Sequence, residues 1–225
     1  MKLRIKFTSF LQRMLGEHKF ENLRYHYYKR FVPNLGYSKE YYEGIRSANH
    51  SYYELFAQVL MEEFKPSTLV DCGCGHGGIS REFLNHGCKE AFLFDGSPDA
   101  VEIARSAGVK NVEQLDFANA EAIPAKGDLA ICLEVAEHIP TAYAGNLCRL
   151  LSNVAPTLAF TAAPPGQGGH LHVNNQPQSY WINLFSKNGM VYDPQAVARI
   201  RKVFDGRMLS DYDENLMVFR RSHSS

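Results

Sequence analysis

Leu69-Val70-Asp71-Cys72-Gly73-Cys74-Gly75-His76-Gly77-Gly78 is the stretch that decides the fold. An apolar run ends on an acid, glycines crowd the next positions, and a helical pattern begins at Gly78. Glycine reaches positive φ without steric cost, and its missing side chain lets a ligand approach the backbone. The stretch therefore reads as strand, turn and helix, with the turn as a ligand site.

Outward from this turn, short apolar runs alternate with helical stretches. Ser51-Tyr52-Tyr53-Glu54 has the capping-box pattern and predicts a helix that opens there and stops before Pro66. Thr68–Val70 and Ala91–Phe94 read as strands, separated by a helix from about Gly78 to near Gly87. Ser97-Pro98 supplies a cap and a first-turn proline for the next helix. Val112–Leu115, Leu129–Leu133 and Leu158–Thr161 are further strands. Pro177 opens a helix through Trp181, Leu184 and Phe185 that Gly189 terminates. Asp193-Pro194 opens another helix, and Leu216–Phe219 is the last strand. Strands alternating with helices in this way predict an α/β fold with a doubly wound, mostly parallel sheet.

The chain has 225 residues, enough for one such domain with a short addition. Its 24 basic and 24 acidic residues cancel, so no net field gathers phosphates and nucleic acid is disfavoured as a partner. The balance is uneven, because residues 1–50 hold ten Lys/Arg against four Glu and many tyrosines. These residues read as an N-terminal helical cap or lid on a domain covering 51–225. Their basic character suits either a solvated helical face or a surface for an anionic partner. Ile5, Phe7, Phe10, Leu11, Met14 and Leu15 fit an amphipathic helix packed on the protein's own core. The five cysteines have no zinc-ligand spacing, and they read as reduced, buried thiols of a cytoplasmic protein. No apolar run approaches the roughly 20 residues that cross a bilayer, and the N-terminus has no continuous apolar stretch of a signal peptide. Oligomeric state is not legible.

Gly73, Gly75 and Gly78 also satisfy the dinucleotide fingerprint G-x-G-x-x-G. The neighbours separate the readings. A pyrophosphate on a helix N-terminus wants amide donors and no nearby anion, whereas Asp71 stands two residues before the first glycine. Asp71 suits a cationic group such as an ammonium. Asp95 ends the next strand, where a carboxylate can accept both hydroxyls of a ribose. Asp116 follows the third strand and precedes Phe117, a pairing that can accept from an adenine amino group and cover its ring. Three acids at three successive strand ends converge on the cleft of an open α/β sheet.

Val70-Asp71-x-Gly73-x-Gly75, Phe94-Asp95-Gly96-Ser97, Asp116-Phe117 and Leu133-Glu134-Val135-Ala136-Glu137-His138 resemble motifs I to IV of class I S-adenosylmethionine-dependent methyltransferases. The resemblance covers about residues 51–220. It implies a seven-stranded sheet whose last strand, around Leu216–Phe219, is antiparallel. It also implies S-adenosylmethionine as the methyl donor, held by Asp71, Gly73, Cys74, Gly75, Asp95, Gly96, Asp116, Phe117 and Glu134. Residues 1–50 lie outside it.

Transfer to a hydroxyl needs a route for the proton, either a general base or a divalent metal that acidifies the hydroxyl. Glu134, Glu137 and His138 resemble the Glu-x-x-Glu-His of ubiquinone-biosynthesis O-methyltransferases and of small-RNA 2′-O-methyltransferases. That resemblance implies Glu134, Glu137 and His138 as Mg²⁺ ligands; without metal, Glu134 lines the donor pocket and His138 is a base or structural.

Pro164-Pro165-Gly166-Gln167-Gly168-Gly169-His170-Leu171-His172-Val173-Asn174-Asn175-Gln176-Pro177 is a polar, glycine-rich loop at the sheet's carboxyl edge. Such a loop suits a substrate wall, and His170 and His172 share one side if the chain is extended. With Ser179-Tyr180-Trp181-Ile182 it resembles a largely uncharacterised bacterial subgroup of O-directed methyltransferases. The catalytic candidates are His138 and His172, and the acceptor is a hydroxyl of a small molecule, glycan or lipid-linked compound. Three alternatives stand beside this reading: nucleic-acid methylation, NAD-dependent oxidoreduction, and an inactive S-adenosylmethionine-binding partner.

Overall fold

The computed structural model describes residues 49–169 and 171–222, together with 14–16, 19, 20, 23, 42 and 44. Most of the stretch expected as an N-terminal helical cap, and His170, lie outside the described residues. The described elements run in the order α1 (His50–Phe64), β1 (Thr68–Cys72), α2 (Gly78–Asn85), β2 (Glu90–Asp95), α3 (Pro98–Ser106) and β3 (Asn111–Gln114). Then come β4 (Leu129–Leu133), a 3₁₀ turn (Ala136–His138), α4 (Thr141–Ser152), β5 (Thr157–Thr161) and α5 (Gln178–Ser186). β6 (Met190–Tyr192), α6 (Pro194–Phe204), α7 (Ser210–Asp213) and β7 (Met217–Arg221) complete the chain.

The strands form one seven-stranded sheet in the order β3-β2-β1-β4-β5-β7-β6. β1 pairs in parallel with β2 and β4, β2 with β3, and β4 with β5, whereas β7 is antiparallel to both β5 and β6. The doubly wound sheet with an inverted last strand is therefore present. Reversal of strand order at β1 and β4 opens the cleft between their carboxyl ends, the position where open α/β sheets bind ligands.

Side chains alternate across the sheet with period two. Along β1, Leu69 packs into the layer built by α1, α2, α3 and α6, while Val70 and Cys72 pack into the layer built by α4 and α5. Both layers are apolar. The second centres on Phe160, whose ring meets Trp181, Phe185 and Phe219 with centroids 5.4, 5.1 and 6.5 Å away. Burying each such side chain contributes about 1.5–3 kcal/mol. β4 and β5 are buried at every position, as strands covered on both faces must be.

Two expected caps form: Ser97 accepts from the Ala100 amide and Asp193 from the Ala196 amide. The capping box at Ser51 does not. α1 begins one residue earlier, at His50, with Asn49 at its N-cap and no side-chain cap hydrogen bond. Ser51 and Glu54 are both exposed on the helix. The helix ends before Pro66, as expected, with Lys65 in the left-handed conformation at φ 50°. No helix of the described residues is long and apolar enough to cross a membrane.

Candidate active site

A cavity of about 720 Å³ opens at the carboxyl ends of β1, β2 and β4. The glycine turn forms its floor. The Gly73 and Cys74 amides both donate to the Phe94 carbonyl, at 2.7 and 3.1 Å, which ties the turn to β2. Gly73, Gly75 and Gly77 all have positive φ, at 91°, 53° and 72°. At Gly73 the requirement is steric as well, because a Cβ there would stand 2.1 Å from Cγ2 of Val135.

The acids at the strand ends all line this cavity. Asp71 is buried and its Oδ2 accepts from the Ser80 hydroxyl at 2.5 Å. Burial drives its pKa up to about 7, against the opposing Ser80 hydrogen bond and with help from the Asp95 charge. Asp95 accepts the Gly75 amide on Oδ2 and the Ser97 amide on Oδ1, both at 2.8 Å. Burial raises its pKa too, while those amides pull it back. Each Asp95 oxygen keeps a second lone pair for a ligand. Asp116 accepts from the Ala118 amide at 3.2 Å and from Asn119 Nδ2 at 2.7 Å, so it caps its own turn while facing the cavity. Phe117 is buried beside it, and Gly96 and Cys74 line the same wall.

These residues fit S-adenosylmethionine, which carries a sulfonium, an ammonium and one carboxylate. The described cavity lining holds six carboxyl groups and no Lys or Arg. A dinucleotide's pyrophosphate would meet Asp71 with no cation among those residues to offset it, and burying such an unpaired charge is costly.

Beyond β4 the chain turns sharply. Glu134 has φ 53°, a strained value for a residue with a side chain, and such strain gathers at functional sites. Its amide donates to Thr161 Oγ1 at 2.9 Å, and its carboxylate accepts from Gln167 Nε2 and Asn215 Nδ2, both at 3.4 Å. Glu137 is fully buried, with both carboxyl oxygens shut off from solvent and the Glu134 carboxyl beside it. Its pKa is pushed up to about 9, chiefly by burial and then by the Glu134 charge. The pKa of Glu134 is raised as well, again mostly by burial.

The 164–177 loop docks onto this turn: the Val173 and Asn174 amides donate to the Glu137 carbonyl at 2.8 and 3.0 Å. Docking brings the His172 ring against His138, with centroids 4.9 Å apart and planes 81° apart. The ligand atoms of Glu137, His138 and His172 lie within 4.8 Å of one another. Glu134, expected with Glu137 and His138 as a metal ligand, stands outside that group and is engaged with Gln167 and Asn215 instead. Gly169 makes room for the His172 ring, since a Cβ there would stand 1.9 Å from Nε2. His76 is buried in the cavity wall with its ring 5.4 Å from that of Tyr53.

Sequence reading missed several cavity residues. Tyr42, Asn49 and Tyr53 come from the stretch ahead of β1, and Leu209, Asp211 and Tyr212 from the short α7 and its N-cap. Tyr42 packs on Ala100 and Ile103 of α3 and lies 3.4 Å from where a Gly75 Cβ would sit. None of the six carries a motif. The one readable signal was the tyrosine content before residue 54.

The family model described as "Methyltransferase domain" matches residues 44–200. No curated protein matches the chain in sequence. Among solved structures, the chain resembles magnesium protoporphyrin IX methyltransferase from Synechocystis PCC 6803 with bound S-adenosylhomocysteine. The TM-score is 0.59 at 19% identity, over 80% of this chain and 86% of that one. The sugar N-methyltransferase KedS8 from Streptoalloteichus sp. gives a TM-score of 0.63 at 15% identity, over 82% and 92% of the two chains. Mitomycin 7-O-methyltransferase MmcR gives 0.61 at 16% identity, over 96% of this chain and 67% of that one. The family match sets the oxidoreductase alternative aside, and the solved structures share the fold. With motifs I to IV around one acid-lined cleft and the family model spanning most of the domain, the chain belongs to the class I S-adenosylmethionine-dependent methyltransferases.

Proposed function

We propose that this enzyme methylates a hydroxyl of a small molecule, sugar or lipid-linked compound by in-line transfer, with His138 as general base. The bound donor supplies an electrophilic methyl on a sulfonium. The protein's task is then to align donor and acceptor, exclude water and take the hydroxyl proton. Asp71 holds the donor's ammonium, Asp95 its ribose hydroxyls and Asp116 its adenine amino group, with Phe117 covering the ring. The backbone of Gly73, Cys74, Gly75 and Gly96 lines the donor's path, and Glu134 closes its far end.

The observation that carries the reading is the pairing of His138 and His172 in the cavity the glycine turn also lines. The Leu171 carbonyl lies 3.4 Å from His138 Nδ1 and can only accept. That contact puts the ring proton on Nδ1 and the lone pair on Nε2, the nitrogen suited to take a proton. The His172 Nδ1 lies 3.3 Å from Asn175 Nδ2, whose amide donates to the Pro164 and Gln167 carbonyls and so anchors the loop that carries His172. His138 is set to accept, as removing a proton from an oriented hydroxyl requires, and the His172 ring packs edge-on against it. His138→Ala should lower kcat by about 100- to 10,000-fold, the usual range for a general base, with S-adenosylhomocysteine affinity unchanged. An unchanged kcat would remove His138 from this role.

A second reading has one observation in its favour, the Glu137, His138 and His172 cluster. One carboxylate and two imidazoles suit a borderline divalent ion such as Mn²⁺, Fe²⁺ or Zn²⁺ better than Mg²⁺, which prefers oxygen ligands. Held there, the ion would acidify the acceptor hydroxyl. Activity lost in EDTA and restored by one of these ions would put this reading in place of the first. Nucleic-acid methylation finds no support in the described cavity lining, which holds no Lys or Arg.

A further inference from the structure

His138 and His172 belong to different segments, the turn after β4 and the loop ahead of α5, and Asn174 joins the two. Asn174 is fully buried. Its backbone amide donates to the Glu137 carbonyl at 3.0 Å, beside the Val173 amide at 2.8 Å. Its Oδ1 accepts from the Thr141 hydroxyl at 2.8 Å and from Gln176 Nε2 at 3.1 Å, and its Nδ2 donates to the Ala136 carbonyl at 3.5 Å. One carboxamide thus ties together the 3₁₀ turn that carries His138, the first residue of α4 and the loop that carries His172.

A buried polar side chain is costly unless it is hydrogen-bonded, and this one is bonded through both its oxygen and its nitrogen. The bonds bear on the His138 ring through Leu171. Three residues before Asn174, Leu171 takes the left-handed conformation at φ 57°, and its carbonyl lies 3.4 Å from His138 Nδ1. A residue with a side chain holds that conformation when its surroundings impose it. The anchors at Val173 and Asn174 fix the chain immediately after Leu171, and so set where that carbonyl falls. The carbonyl in turn selects which nitrogen of His138 carries the proton and which keeps the lone pair.

We infer that Asn174 is a positioning residue of the active site: its carboxamide, bonded to Thr141 and Ala136, holds the Leu171 carbonyl on His138 and so keeps the ring's lone pair on Nε2. Asn174 is not among the residues that line the cavity, so it acts through His138 and not on a ligand. Thr141 acts with it through the shared hydrogen bond. The inference rests on His138 as general base and deepens that reading; the state of the ring is measured without any turnover.

The test uses the full chain saturated with S-adenosylhomocysteine and carrying nitrogen-15 histidine, with the His138 signals assigned by their loss in His138→Gln. Well above the ordinary histidine pKa of about 6.5, nuclear magnetic resonance should show the wild-type His138 ring protonated on Nδ1 and in contact with the His172 ring. In Asn174→Ala the Nδ1–H form should give way to exchange between the two nitrogens and the His172 contact should weaken, with S-adenosylhomocysteine affinity at the wild-type value. Thr141→Val should move the His138 signals in the same direction, and Thr141→Ser, which keeps the hydroxyl, should bring them back. The double variant should shift them no further than Asn174→Ala alone. Should Asn174→Ala fail to fold, Thr141→Val against Thr141→Ser carries the same decision. Unmoved His138 signals would overturn the inference, as would a parallel loss of donor affinity, which marks a general loosening of the fold. A ring that relaxes in Asn174→Ala beside an unchanged kcat in His138→Ala would remove the general base and leave the positioning in place.

Discussion

The Gly75 amide donates to the Asp95 carboxylate at 2.8 Å, so the turn after β1 is held by the residue that ends β2. One carboxylate thus shapes the cavity floor and, in the proposed donor placement, meets the ribose. Asp95→Ala removes the acceptor of two backbone amides, each worth about 1–3 kcal/mol if left unpaired. It should weaken S-adenosylhomocysteine binding by at least tenfold and lower Tm together, measured by calorimetry and thermal unfolding. Unchanged affinity would mean the donor does not lie on this turn.

Gly73 tests the turn without touching charge. Gly73→Ala forces a Cβ into Cγ2 of Val135 and strains a backbone at φ 91°. Overpacking and positive φ each cost about 1–3 kcal/mol, so both stability and donor affinity should fall. Val135→Ala in the same chain should restore part of the affinity by clearing the clash.

Asp71 predicts a pH dependence. Its folded-state pKa is raised from 3.8 to about 7 by burial. The protonated form is therefore favoured in the folded protein, and the stability it contributes is present at acid pH and lost as pH rises toward 7. The donor's ammonium favours the charged carboxylate instead. S-adenosylmethionine affinity should rise as pH increases through 7, with a proton released on binding. Calorimetry in two buffers of different ionisation enthalpy measures that proton, and Asp71→Asn should abolish its release.

Lys65 offers a test of the scaffold away from the site. It closes α1 in the left-handed conformation, at φ 50° and ψ 48°, and its side chain is exposed. Glycine adopts that conformation freely, so Lys65→Gly should raise stability by about 0.5–1 kcal/mol with activity unchanged. Denaturant unfolding reads it directly.

Most of the sheet was legible because buried parallel strands are apolar at nearly every position. Leu129–Leu133 was read to the residue, and β1, β2 and β5 were read short by one or two residues at their ends. β6 escaped because it is three residues long, pairs only with β7 and exposes Val191. The misplaced start of α1 has a local cause: a capping-box pattern competed with Asn49, one residue before the helix, and neither makes a side-chain cap.

The donor end of the site was legible because its acids sit at strand ends, where the fold converts sequence order into proximity. The other end was legible only in part: Glu137, His138 and His172 were named from the sequence, and its remaining walls were not. Asp211 and Tyr212 reach the cavity from α7, on the connection that inserts β7 between β5 and β6, and no local pattern announces that route. Glu134 stands outside the Glu137, His138 and His172 cluster, with a positive φ and bonds to Gln167 and Asn215. Neither is visible in a Glu-x-x-Glu-His spacing.

The central claim is methyl transfer to a hydroxyl with His138 taking the proton. The most direct measurement is product analysis after incubation with methyl-labelled S-adenosylmethionine and a panel of hydroxylated small molecules and sugars, run in parallel for the wild type and His138→Ala. The account predicts an O-linked label from the wild type and a loss of about 100-fold or more in rate for the variant at equal donor affinity. Label on nitrogen or carbon, or an equal rate from the variant, would contradict it.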